Sequence, residues 1–208
     1  MSIAAEAADR GITEILHYTT SRGVLGILAS RALKSRSRLP EDKYLEHVWV
    51  PACPVRYDTE YLGYVNLSIS DINSALYAIA EGKWHAGEFW WGVLSLDPAI
   101  LDHEGVTFAT TNNMYPSAKR DTGLAGFEAL FAERVAGRYG RVTIRPAAHP
   151  SSRPTDSQAE VLYPGELSTE YLQKIYVADI NSRATILAQC EAVGHPDINV
   201  ELSTTVFL

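Results

Sequence analysis

The sequence predicts an α+β fold. Short strand-like runs and helix-like runs alternate irregularly along the chain, with none of the steady strand–helix–strand rhythm of a parallel sheet. The strand-like runs are mostly five to seven residues long and rich in β-branched and aromatic residues, as in Tyr64–Ile69 and Phe89–Leu96. Hydrophobic residues make up 46% of the 208 positions, enough for one sizeable core, and no repeat or low-complexity tract divides the chain. One domain spanning residues 1–208 is therefore expected.

The elements follow in order. Glu14–Tyr18 reads as a strand. Thr20 or Ser21 can cap a helix whose Val24, Leu25, Ile27 and Leu28 fall on one face, with Ala32-Leu33 leading out. Residues 39–62 hold three prolines and read as a loop with a short strand at Val48–Val50. A strand over Gly63–Ile69 precedes a helix capped by Asp71 and bearing Ile72, Leu76 and Ile79. Glu88–Leu96 is a buried strand, Asp97-Pro98 opens a short helix with proline at its first position, and Val106–Ala109 is a strand. Residues 110–157 are weakly patterned apart from a helix at 123–134, and a segment of that length usually serves function. The Ser157–Gly165 stretch then alternates as a strand and stops at Pro164-Gly165. A short helix from Ser168, a strand at Lys174–Ala178, a helix over Asn181–Ala192 and a strand at Ile198–Phe207 complete the chain.

Composition excludes several classes. The net charge of −7 argues against a protein that coats nucleic acid non-specifically. Arginine is nonetheless clustered, at Arg134, Arg138, Arg141, Arg145 and Arg153 with Lys119 and Arg120 before them, and again at Arg31, Lys34, Arg36 and Arg38. Such local patches can grip a polyanion. No run approaches about eighteen apolar residues, so no membrane partner is expected. The Ala-rich first ten residues lack the basic start and apolar centre of a signal peptide. Cys53 and Cys190 read as reduced thiols, which points to the cytoplasm, and no zinc-type spacing is present.

Two places carry candidate chemistry. Gln158 and Glu160 are two apart in a strand-like stretch and would share one face, an amide beside an acid. His17 stands at a strand end facing a helix start, where backbone amides suit phosphate or a hydroxyl-rich ligand.

These stretches together resemble the DarT family, bacterial toxins that ADP-ribosylate bases in single-stranded DNA. The likeness runs over about residues 12–180 through His17-Tyr18-Thr19, the strand Tyr64–Ser70, the run Trp90–Ser95 and Gln158-Ala159-Glu160-Val161-Leu162. It implies an ADP-ribosyltransferase-like split mixed β-sheet flanked by helices. It implies NAD as substrate and single-stranded DNA as acceptor. It also implies a macrodomain antitoxin of the DarG kind that removes the modification.

Residue by residue, the resemblance makes Glu160 the acid that holds the ribose 2′-hydroxyl, stabilises positive charge and takes a proton from the base. Gln158 orients the base. His17, Tyr18, Thr19, Asn66 and Ser68 contact NAD, and Tyr77 stacks on nicotinamide, while Trp90 and Trp91 suit the core better. Arg138, Arg141, Arg145 and Arg153 meet DNA from the 110–157 substrate loop. A side-chain amide offers a base edge both a donor and an acceptor, which suggests guanine. The family carries a functional arginine in or just after the Tyr64–Ser70 strand, whereas Asp71–Leu76 holds none. That is natural divergence or an inactivating substitution at Ala75, and it keeps open a non-catalytic nucleic-acid or ADP-ribose binding module. A transferase acting on RNA or protein is the third reading.

Overall fold

The computed structural model describes residues 2–39 and 58–208; the expected strand at Val48–Val50 and Cys53 lie outside them. The chain folds around an eight-stranded mixed sheet. The strands are β1 (Ile15–Thr20), β3 (Tyr64–Ile69), β4 (Trp91–Leu96), β5 (Thr107–Ala109), β6 (Arg120–Thr122), β9 (Glu160–Pro164), β11 (Leu172–Val177) and β12 (Asn199–Leu202). Their order across the sheet is β12-β11-β4-β1-β3-β9-β5-β6. Among the described residues, only the β11–β12 pair of this sheet is parallel. Two small antiparallel pairs stand apart: β2 (Ala32–Lys34) with β10 (Glu166–Ser168), and β7 (Arg134–Ala136) with β8 (Val142–Ile144).

Period-two alternation divides the sheet's faces. On β1, Ile15 enters the larger apolar cluster and Leu16 the smaller; on β4, Leu94 and Leu96 join the former and Trp91 and Val93 the latter. The larger cluster takes residues from α1 (Ile3–Asp9), α2 (Ser21–Ser30), α4 (Gly123–Ala129) and α5 (Ile180–Val193). The smaller takes Tyr77 from α3 (Ser74–Ile79).

Side-chain oxygens set the helix starts. The Thr20 hydroxyl accepts from Gly23 N at 3.2 Å and opens α2, and Asp179 accepts from the Asn181 and Ser182 amides and opens α5. Asn73, not Asp71, caps α3, accepting from Leu76 N at 3.1 Å. Asp71 instead pairs with Arg153. The chain after β3 turns first, with Ser70 at a φ of 60°, so the helix begins two residues later than its apolar spacing suggested.

Segment 110–157 is more structured than its composition predicted. It contributes β6 and α4 and folds residues 134–144 into the β7–β8 ribbon. The 123–134 helix ends early, because Arg134 starts β7. The Ser157 stretch is shorter than expected as a strand: β9 begins at Glu160, and Gln158 occupies the turn before it, its N–H donating to Asp156 Oδ1 at 2.8 Å. The two side chains therefore do not share a strand face. α1 gave no periodic signal in seven residues; its start is held by Asp102, whose carboxylate accepts from the Ile3 and Ala4 amides.

α2 approaches β1 so closely that only glycine fits its third position. A Cβ at Gly23 would lie 2.0 Å from Thr19 Oγ1, and 3.1 and 3.2 Å from the other two Thr19 side-chain carbons. Thr19 would have to give way, and its Cβ and Cγ2 are already in tight range. Gly23→Ala gains about 1 kcal/mol of helix propensity but costs about 1–3 kcal/mol in overpacking. Denaturant unfolding should show net destabilisation; a stabilised variant would refute this packing account.

Candidate active site

The sheet opens between β1 and β3. These strands pair only at Ile15–Ile69 and Leu16–Ser68, although β1 continues to Thr20 and pairs along its whole length with β4 on its other side. Past Leu16 the two strands part, and a cavity fills the gap. It is lined by His17, Tyr18 and Thr19 from β1, by Tyr64, Asn66 and Ser68 from β3, by Glu160 from β9, and by Arg22, Lys34 and Arg36 nearby.

Asn66 joins three strands at this point. Its carbonyl accepts a hydrogen bond from His17 Nδ1 at 2.9 Å, which bridges the parted strands. Its side-chain nitrogen donates to Glu160 Oε2 at 3.0 Å. In the β3–β9 register Asn66 lies opposite Leu162, so Glu160 is its diagonal neighbour on the same face, within reach of an amide. A carbonyl can only accept, so His17 Nδ1 carries the proton and Nε2 is an acceptor. Burial lowers the His17 pKa below its ordinary value of 6.5, so the ring is neutral at pH 7.

Glu160 is buried, and burying a carboxylate without donors is costly. Besides the Asn66 amide it accepts the backbone N–H of Asn113 at 3.0 Å. That amide is aimed by a turn wound about Arg120, whose guanidinium donates to the Asn113 side chain and to the carbonyls of Asn113 and Ala118. The Asn113 side-chain nitrogen donates to Asp58 at 2.9 Å, and Asp58 also lines the cavity.

Two of the first amides of α2 are already engaged. Gly23 N goes to Thr20 Oγ1, and Ser21 N goes to the Trp90 carbonyl at 2.8 Å. Positive charge at the cavity comes instead from Arg22, Lys34 and Arg36. Asn73 adds an unspent donor: it is buried, it lines the cavity, and its side-chain nitrogen has no hydrogen-bond partner among the described residues. A buried amide donor without a partner is costly, and an acceptor on a ligand would satisfy it.

A split sheet with a buried, doubly hydrogen-bonded carboxylate beside a neutral histidine narrows the chemistry. Residues 16–208 match the family model described as DarT, ssDNA thymidine ADP-ribosyltransferase. The chain belongs to the DarT family. The family is one of NAD-dependent single-stranded-DNA ADP-ribosyltransferases. Solved DarT structures share the fold at low identity. Thermus sp. 2.9 DarT in complex with carba-NAD+ superposes with a TM-score of 0.67 at 17% identity, covering 94% of this chain and 98% of that one. The same protein in complex with ADP-ribosylated ssDNA gives 0.67 at 16% identity, covering 95% and 97%. Thermosipho africanus DarTG in complex with ADP-ribose gives 0.57 at 13% identity, covering 94% of this chain and 51% of that one. Among curated proteins none matches.

Of the residues singled out in the sequence, the structure brings His17, Tyr18, Thr19, Asn66, Ser68 and Glu160 to the cavity wall. Tyr77 sits one layer behind. Its ring packs edge-on against Tyr18 at 5.6 Å and Trp91 at 5.4 Å, and burial pushes its hydroxyl up to about 12. It braces Tyr18 rather than facing the cavity. Trp91 lies in the smaller apolar cluster, and Trp90 packs against the larger one. Gln158 is not among the cavity-lining residues; its Oε1 accepts from the Tyr115 hydroxyl at 3.0 Å.

The arginines divide by role. The Arg145 guanidinium donates to the Arg153 and Pro150 carbonyls and the Thr155 hydroxyl, which staples the loop, and Arg153 pairs with Asp71. Arg138 lies against the rings of Tyr139 and Tyr115, and Arg141 is exposed. Of the second cluster, Lys34 and Arg36 reach the cavity, while Arg31 donates to the Gly194 carbonyl and Arg38 pairs with Glu166. Charge alone could not tell these apart in the sequence. Nor could it set Arg120 apart from the cluster or find the Asn113 amide, because a backbone donor has no residue signature.

The His17 pKa gives a pH signature. The folded-state value is lowered, so between it and about 6.5 the unfolded chain binds more protons than the folded one. His17 thus contributes stability that is whole above about pH 6.5 and is lost as pH falls through that window. Unfolding free energies for wild type and His17→Gln, measured in parallel from pH 7.5 down to 5, should show a steeper loss in wild type. Parallel curves would contradict a His17 held neutral in the folded chain.

Proposed function

We propose that this chain is an NAD-dependent ADP-ribosyltransferase acting on a base of single-stranded DNA. The observation that carries the reading is the Glu160 carboxylate, buried at the cavity wall and aimed by the Asn66 and Asn113 N–H groups. In the reaction the bond between nicotinamide and the ribose C1 breaks, positive charge spreads over the ribose ring, and a base nitrogen bonds to C1. Nicotinamide leaves with the bonding electron pair, and the nitrogen's proton passes to Glu160. A carboxylate fixed before the charge appears stabilises that state without reorganising. A carboxylate oxygen is also a suitable acceptor for the 2′-hydroxyl. Neutral His17 accepts from a ribose hydroxyl through Nε2. Tyr18, Thr19 and Ser68 complete the wall, Arg22, Lys34 and Arg36 meet the pyrophosphate, and the unspent Asn73 donor meets a nucleotide acceptor. The complexes of Thermus sp. 2.9 DarT with NAD+ and with ADP-ribosylated ssDNA support the reading.

For the base, Gln158 no longer argues for guanine. Its Oε1 accepts from Tyr115, so what it offers most readily is an N–H donor. Guanine O6 and thymine O4 are both acceptors in reach of such a donor. The family description names thymidine, and we take thymine as the acceptor. Biologically we assign the chain the toxin half of a toxin–antitoxin pair in the cytoplasm, reversed by a macrodomain protein of the DarG kind; family membership supports this.

Wild type and Glu160→Gln, which keeps shape and loses charge, should be incubated with NAD and single-stranded oligonucleotides holding a lone T or a lone G. Mass spectrometry should find an ADP-ribosyl group on T with wild type and a loss on the order of 10²-fold or more with Glu160→Gln. Near-normal transfer by Glu160→Gln would remove it from the chemistry. Product on G alone would restore guanine. No product on DNA, with product on RNA or protein, would move the acceptor; NAD binding without any product would favour a binding module.

For the arginines, replacing Arg138 and Arg141 together should flatten the slope of log affinity against log salt. On a single strand the change is up to about 1.4 units, at roughly 0.7 per phosphate contact. An unchanged slope would make both ordinary surface.

A further inference from the structure

We propose that Tyr139, at the tip of the β7–β8 ribbon, is a stacking platform for an unpaired nucleobase beside the target base. The proposal rests on the single-stranded-DNA reading above and deepens it.

The first observation is conformational. Tyr139 has φ 57° and ψ 35°, and Gly140 has φ 72°. The Arg141 amide donates to the Arg138 carbonyl at 3.2 Å across them, so both central residues of the turn have positive φ, the type I′ pattern. Glycine, asparagine and aspartate suit the first of these positions, whereas a bulky aromatic there is strained. The backbone therefore gives no reason for a tyrosine.

The second observation is exposure. Tyr139 is 83% exposed, so core packing gives no reason either. One face of its ring carries the Arg138 guanidinium, 4.5 Å from the ring centre, and a ring so exposed keeps an open face. A ring held out from the surface against its turn preference, with a cation behind it, is built to accept another flat group.

The third observation is charge. Residues 134–145 hold four arginines and no acid, in a chain of net charge −7. A polyanion with flat, unpaired bases fits such a ribbon, because phosphates meet arginine and any base has a face to stack.

The fourth is position. Arg138 also lies 5.6 Å from the Tyr115 ring, and the Tyr115 hydroxyl donates to Gln158, two residues before Glu160. Ser117 Oγ donates to the Gly137 carbonyl at 2.8 Å and fastens the ribbon's loop to the segment that carries Tyr115. The ladder Tyr139–Arg138–Tyr115–Gln158 thus runs from the tip to the edge of the catalytic carboxylate.

The test uses fluorescence anisotropy with a labelled single strand of about 15 nucleotides, thermal unfolding, and NAD calorimetry on each variant. Tyr139→Asn suits the turn better, so its melting temperature should equal or exceed that of wild type. Its affinity for the strand should nevertheless fall by about 10-fold or more, the size of one lost base stack. Tyr139→Trp should retain affinity, NAD affinity should be unchanged in both, and the salt slope should stay that of wild type, because no phosphate contact is removed. If wild type binds the strand and Tyr139→Asn binds equally well, the platform is overturned while the DNA reading stands, and the ribbon, with exposed Val142 and Ile144, becomes a protein-facing surface. If wild type does not bind the strand at all, the DNA reading falls and the platform with it.

Discussion

Asn66 is where the sheet's geometry becomes a site. Its carbonyl takes the His17 N–H across the gap between β1 and β3, and its amide takes the Glu160 carboxylate on the next strand. β3 can serve both because half-buried Tyr64, Asn66 and Ser68 alternate along it with Val65, Leu67 and Ile69, which are buried in the core. The core face fixes the register, since a slip of one residue would bury Asn66 and expose Leu67. The apolar residues of β3 thereby determine where a histidine and a carboxylate meet.

The same division explains what the sequence made legible. Alternation announced β9, runs of β-prone residues announced β1, β3 and β4, and the Thr20 cap announced α2, because burial leaves an apolar pattern and capping leaves a residue signature. His17, Asn66 and Glu160 were visible as polar residues interrupting those runs. The turn around Arg120 was not, since it acts through backbone carbonyls and the Asn113 amide, which any sequence supplies. Gln158 was placed on a strand by spacing alone, and the Asp156 carboxylate holds it in a turn instead. The β7–β8 ribbon hid because Val142 and Ile144 are exposed, so its alternation does not track a core. Tyr77 was read as a ligand contact because its aromatic ring suits nicotinamide; packing against Tyr18 and Trp91 uses that ring one layer deeper.

Electrostatics follows a similar logic. The arginine-rich segment looks uniform in sequence, yet Arg145 and Arg153 shape the loop, Arg120 shapes the carboxylate's turn, and Arg138 and Arg141 remain outward. Arginine suits the first role because its planar fork can satisfy several carbonyls at once. An acidic chain can thus present one basic ribbon to a polyanion beside a cavity that takes a nucleotide, and the Arg120 turn links the two.

The most direct measurement is a crystal structure of the chain with a non-cleavable NAD analogue. The account predicts the analogue in the split between β1 and β3, with the nicotinamide-side ribose hydroxyl within hydrogen-bond distance of the Glu160 carboxylate, a second ribose hydroxyl on His17 Nε2, and the Asn66 bridge intact. An analogue bound outside that split, or a ribose turned away from Glu160 with Asn66 still bridging, would contradict it.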